Sequence, residues 1–98
     1  MEIIKSKNDN QFTIGLKGRL DTTTAPELET VINTEVDGIS ELEFDFTELE
    51  YISSAGLRVL LSAQKKMNTL GSMKVKNVSE TVMDVFEITG FSDILTIV

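Results

Sequence analysis

The period of the apolar residues changes once, abruptly, inside Asp45 to Leu61, DFTELEYISSAGLRVLL, and that change constrains the fold more than any other feature of the chain. Upstream, Leu42, Phe44 and Phe46 alternate with Glu43 and Asp45, the period of two of a strand with one buried face. Downstream, Leu57, Leu60, Leu61 and Gln64 follow the helical period. The pattern predicts a strand over Glu41 to Phe46, a short loop, and a helix from Ser54 to about Leu70 that Gly71 stops. Ser53 and Ser54 stand where strand hands over to helix. Either hydroxyl is suited to capping the helix, a contribution of about 1 kcal/mol against Ala. The same terminus carries unsatisfied backbone N–H groups and the positive end of the helix dipole, so an anion beside the hydroxyls is held rather than expelled.

The flanking segments agree with an α/β arrangement. Ile3 and Ile4 mark a first strand over Met1 to Lys5, and Asn8, Asp9 and Asn10 supply turn chemistry. Phe12, Ile14 and Leu16 then alternate with Thr13, Gly15 and Lys17, which predicts an antiparallel hairpin with one apolar face, its sheet covered by helices mainly on that side. Thr24 and Glu27 have the spacing of a capping box around Pro26, and Leu28, Val31 and Ile32 mark a helix from about Ala25 to Val36, stopped by Asp37 and Gly38. Met73, Val75 and Val78 suggest a fourth strand ending near Val78. Ser79 then caps a helix with Val82, Val85, Phe86 and Thr89 on one face, stopped by Gly90, while Met83 and Ile88 fall off that stripe. Ile94 to Val98 reads as a short closing strand, or Ser92 begins a single helical turn. A hairpin followed by strand–helix alternation is a mixed sheet with parallel pairs joined by right-handed crossovers. With no repeat or linker, residues 1–98 read as one domain.

Several functions are excluded by what the chain lacks. It has no His, so Ser-His-Asp chemistry is absent, and with no Cys either a zinc site would have to be all carboxylate. Gly15 and Gly18 are isolated, so no phosphate-cradling glycine loop is present, and domain-bound nucleotide has no motif behind it. Asp45 and Glu48 are a carboxylate pair on a small segment where such groups are more often solvated than catalytic. The formal charge, 9 − 16 = −7, argues against broad contact with nucleic-acid phosphates or an anionic membrane and suits a basic protein partner better. No segment reaches the roughly 20 apolar residues of a membrane span, and no apolar signal core is visible at the start, so a cytoplasmic, non-enzymatic protein without metal or cofactor is expected.

The run from Asp45 to Leu61 resembles the signature of the STAS domains, most closely that of the small bacterial anti-sigma-factor antagonists in the family. GRLDTTTAPELE, Gly18 to Glu29, resembles the family's second recurring element, and the likeness extends along nearly the whole chain. Matched by position, the serine that a partner kinase phosphorylates in those proteins is Ser54. Many members carry Asp immediately before it where this chain has Ser53, which leaves Ser53 as the alternative. The resemblance implies that Asp21, Thr22 and Thr23 lie beside Ser54. With Ser53, Gly56, Leu57 and Arg58 they would form a surface that docks on an anti-sigma factor and frees a sigma factor. It also implies that the anti-sigma factor has serine kinase activity that ends the contact, and that a protein phosphatase restores it. Gly56 then either leaves the backbone open to the kinase's nucleotide or is a helix-start glycine without consequence. Arg58 pairs either with the phosphate or with Glu48 or Glu50. STAS domains also serve as constitutive accessory or scaffold subunits of transport and sensory complexes, in which Ser54 would be a cap and nothing else.

Overall fold

A computed structural model describes residues 1–98. The element order is β1 (Glu2–Asn8), β2 (Gln11–Leu20), α1 (Ala25–Glu35), β3 (Glu41–Ile52), α2 (Ser54–Leu70), β4 (Ser72–Lys76) and α3 (Glu80–Thr89), followed by a short 3-10 turn, Phe91–Asp93. The sheet runs β1-β2-β3-β4; β1 and β2 are antiparallel, and the other two pairs are parallel. This is the expected mixed α/β sheet, with its helices on one face. Phe12, Ile14, Leu42, Phe44, Met73 and Val75 stand in register across β2, β3 and β4, and all are buried. Alternate residues such as Thr13, Glu43 and Lys74 point to the open face, where they stay in contact with water. Phe46 joins the sheet to α3 through Phe86, with ring centroids 6.4 Å apart. Both rings are fully buried, so truncating either to Ala costs about 3–5 kcal/mol.

The longest departure from the sequence reading is β3, which continues six residues beyond Phe46, so the expected loop before α2 does not exist. The inward alternation of β2 is strict, through Phe12, Ile14, Leu16, Gly18 and Leu20. That of β3 is not: its buried residues are Leu42, Phe44 and Phe46, then Leu49, then Ile52. Pairing explains the gaps. Gly15 faces Asp45 but Lys17 faces Glu48, and Gly18 faces Leu49 but Arg19 faces Tyr51. Each shift inserts one extra residue into β3, a β-bulge that restores the inward phase and increases the local twist.

Smaller corrections concern ends, beginning with β1, which runs to Asn8 rather than Lys5, so that Asn8 pairs with Gln11 instead of joining the turn. β4 stops at Lys76 rather than near Val78, because Asn77 turns the chain with φ of 59° and donates its side-chain amide to Asp45 Oδ1 at 3.1 Å. Thr24 does not make a capping box: its own backbone is helical, with φ −98° and ψ −20°, and its side chain caps nothing. A cap residue needs extended backbone to aim its oxygen at the following amides. At the C-terminus both alternatives occur, the single turn at Phe91–Asp93 and then one parallel bridge, Val75 to Ile97, in place of a full strand. Met83 is packed against the core, and Ile88 is 86% exposed. No helix is long and apolar enough to cross a membrane.

Candidate functional site

Parallel strands deliver their following helices to the same end of a sheet, and the crevice at that end is where open α/β sheets place ligands and partners. Here β2 and β3 finish side by side, with Leu20 opposite Ile52. The Ser53 amide donates to the Leu20 carbonyl at 2.9 Å, one residue past the end of both strands. The approach to α1, Asp21 to Thr24, is therefore held against the approach to α2, Ser53 and Ser54. Thr22 also lines one groove with Ala55 and Arg58.

The two serines are not equivalent. Ser53 has extended backbone, φ −99° and ψ 176°, and its hydroxyl accepts from the Gly56 amide at 3.4 Å while its carbonyl accepts from Leu57 at 2.9 Å. It is partly buried and is the N-cap of α2. Ser54 is the first helical residue, exposed, with its hydroxyl engaged in none of the side-chain hydrogen bonds of the protein. Of the first-turn amides, those of Ser54 and Ala55 have no partner, while the Gly56 amide is taken by Ser53. α1 and α3 each carry an acidic residue in the first turn, Glu27 and Glu80, and α2 carries none. The positive end of the α2 dipole is thus left uncompensated by any side chain of its own first turn.

Asp21 organises the neighbouring loop. Its Oδ1 accepts from the Thr23 amide at 3.0 Å and the Thr24 amide at 3.1 Å, while the Thr24 hydroxyl donates to the Arg19 carbonyl at 2.8 Å and accepts from the Asp21 amide at 2.9 Å. The Thr24 amide above all, then the Thr23 amide, the Thr24 hydroxyl and Arg19, hold the Asp21 carboxyl below its ordinary pKa, against an opposing push from burial. Thr22 and Thr23 are exposed beside it.

Gly56 and Leu57 are buried and shape this surface from beneath. A Cβ on Gly56 would stand 2.7 Å from Leu20 Cγ and 2.9 Å from Ile52 Cγ1. The glycine therefore lets α2 sit directly on the ends of the two strands, so it is not a position without consequence. Arg58 is exposed and forms no ion pair with Glu48 or Glu50; Glu48 lies 3.6 Å from Lys17. Asp45 is likewise occupied, accepting from Thr47 and Asn77, so Asp45 and Glu48 do not form a free carboxylate pair. Two residues that sequence reasoning did not single out edge the site: the Arg19 guanidinium lies over the Tyr51 ring, 4.3 Å from its centroid, and within 3.9 Å of Asp21. The signal for them is the β2–β3 register, which the two bulges hide in the sequence.

Comparison with known proteins identifies the family and the fold. The family model described as STAS domain matches residues 2–98. The anti-sigma-B factor antagonist of Listeria monocytogenes is 35% identical over 98 residues, covering 96% of this chain and 84% of the relative. The structure of the anti-sigma factor antagonist SpoIIAA in its unphosphorylated form superposes with a TM-score of 0.86 at 20% identity, covering 99% of this chain and 88% of that one. The phosphorylated form of the Bacillus cell fate determinant SpoIIAA gives 0.78 at 19% identity, covering 99% and 91%. Since the family model takes in all but the first residue and the Listeria relative aligns along almost the whole length, the chain belongs to the STAS domain family.

Proposed function

We propose that the chain is an anti-sigma-factor antagonist switched off by phosphorylation of Ser54. The observation that carries this reading is the division of work between adjacent serines: Ser53 is spent on capping α2, and Ser54 presents a free, exposed hydroxyl at the uncompensated positive end of the same helix. The names of the relatives supply the partner class, and SpoIIAA, a protein of the same fold, is described in both unphosphorylated and phosphorylated forms.

In this reading the unmodified surface, Asp21 to Thr23 with Ser53, Ser54 and Arg58 over buried Gly56 and Leu57, docks on an anti-sigma factor and so releases a sigma factor. The anti-sigma factor is also the serine kinase and brings ATP and Mg²⁺. Ser54 Oγ forms the new O–P bond as the bond to ADP breaks, and the hydroxyl proton passes to a base of the kinase. The product carries roughly −1.5 to −2 additional charge in the middle of the contact. The helix terminus tolerates that charge, so the fold persists while the interface is lost. A protein phosphatase resets the switch.

The test is incubation with ATP and each histidine-kinase-like anti-sigma factor of the same organism, followed by peptide mass spectrometry. One phosphate on Ser54 is expected. Phosphate on Ser53 would move the switch onto the cap. No phosphate from kinases active on their own substrates would replace the reading by a constitutive scaffold subunit.

A further inference from the structure

Arg58 is the only charged residue in the first two turns of α2, residues 54 to 61, and it has no partner. No carboxylate lies within 4.0 Å of its guanidinium, and it makes no hydrogen bond or aromatic contact. It lines a groove of ≈ 200 Å³ between α1 and α2, with Ala55 and Val59 on its own helix and Thr22, Pro26 and Glu29 across from it. Even Glu29, the acid of that groove, is beyond ion-pair distance. An exposed guanidinium one turn into the helix, with no partner of its own, is free to take an anion placed at the helix start.

Ser54 and Arg58 are four residues apart on α2, so their Cβ atoms lie about 5–6 Å apart on one face. The anion-bearing residue is on the N-terminal side and the cation one turn later, the favourable order for such a pair. We propose that Arg58 receives the phosphate of Ser54, its planar fork holding two phosphate oxygens beside the unbonded Ser54 and Ala55 amides. This rests on the switch reading and adds a consequence to it. Phosphorylation introduces an anion and at the same time withdraws the unpaired cation of the docking face, so a partner that meets Arg58 with its own acid loses that contact as well. Ser53 lies outside the helix, five residues from Arg58, and its hydroxyl is spent on the Gly56 amide, so the clamp is assigned to Ser54.

The experiment encodes phosphoserine directly at position 54 and follows the second ionisation of the phosphate by ³¹P NMR in the otherwise wild-type chain, in Arg58→Gln and in Arg58→Lys. Asp21 and Glu29 are present in all three, so the comparison isolates the guanidinium. The phosphate pKa is expected to be at least about half a unit lower with Arg58 than with Gln, and intermediate with Lys. Phosphoserine encoded at position 53 should show no comparable dependence on Arg58. Equal values in the wild-type and Arg58→Gln proteins, or an equal dependence at position 53, would overturn the clamp. No kinase or anti-sigma factor is used. A failed clamp therefore leaves the switch standing, and a chain that no kinase modifies sinks the switch whatever the phosphate titration shows.

Discussion

The Ser53 amide reaches the Leu20 carbonyl at 2.9 Å, and through that bond the end of β2 positions the start of α2. The Leu20 side chain also lies under Gly56, so one residue meets the entry of the helix through its carbonyl and the first turn through its side chain.

Gly56→Ala should destabilise the protein although alanine is the better helix former by about 1 kcal/mol. The new methyl would meet Leu20 Cγ at 2.7 Å and Ile52 Cγ1 at 2.9 Å, both on buried side chains. Overpacking of that kind costs about 1–3 kcal/mol, so after the propensity gain the net expectation is a loss of up to about 2 kcal/mol in urea unfolding. A rise in stability would show that α2 moves away freely.

Gly71→Ala tests close packing at the opposite end of α2. A Cβ there would fall 1.9 Å from the Ser40 carbonyl oxygen, which also accepts from the Ser72 amide at 2.9 Å. Backbone cannot yield as a side chain does, so the loss should match or exceed that of Gly56→Ala while the Ser54 surface remains intact. Comparable stability to wild type would contradict the geometry.

The adjacent serines should respond differently to alanine. Ser53→Ala removes the cap and should cost about 0.5–1 kcal/mol, at the low end because the bond to Gly56 is 3.4 Å long. Ser54→Ala removes an exposed hydroxyl and should stay within about 0.5 kcal/mol of wild type. Thermal unfolding of the two variants checks this; equal losses would remove the assignment of Ser53 as cap.

Acid should weaken the fold through carboxylates held below their ordinary pKa. These are Asp21 and Asp45, ordinarily 3.8, and Glu35, ordinarily 4.5. The amides of the Thr24 turn act on Asp21, the Thr47 hydroxyl and then the Asn77 amide on Asp45, and Lys5 on Glu35. On acidification the unfolded chain takes up protons first, so this stability is complete above those ordinary values and is lost as pH falls through them toward the depressed folded values. Asp21→Asn keeps the acceptor oxygen and removes the titration. Its urea midpoint should fall less than that of wild type between about pH 6 and about pH 3. An unchanged pH dependence would mean that the turn does not distinguish carboxylate from amide.

The legible parts of the molecule were those fixed by local pattern. The helical period from Leu57, the serines before it and Gly71 after it placed α2 to the residue, and Ser79 placed α3. The second half of β3 was illegible because its two extra residues can be recognised only against β2; read alone, Phe46, Leu49 and Ile52 have no period of two. The Thr24–Glu27 spacing misled because Asp21 takes the turn amides and Thr24 turns its hydroxyl back to Arg19. At the site, Ser53 and Ser54 could be found locally, but which one was spent on the helix could not. Nor could the reason for Gly56, since the side chain that demands a glycine belongs to Leu20, thirty-six residues earlier in the chain.

The most direct test of the central claim is calorimetric titration of one cognate anti-sigma factor with the unmodified protein, the Ser54-phosphorylated protein and Ser54→Ala. The unmodified and Ser54→Ala proteins should bind alike, and the phosphorylated protein at least about tenfold more weakly, a difference of about 1.4 kcal/mol or more. Equal affinity of all three would contradict the switch.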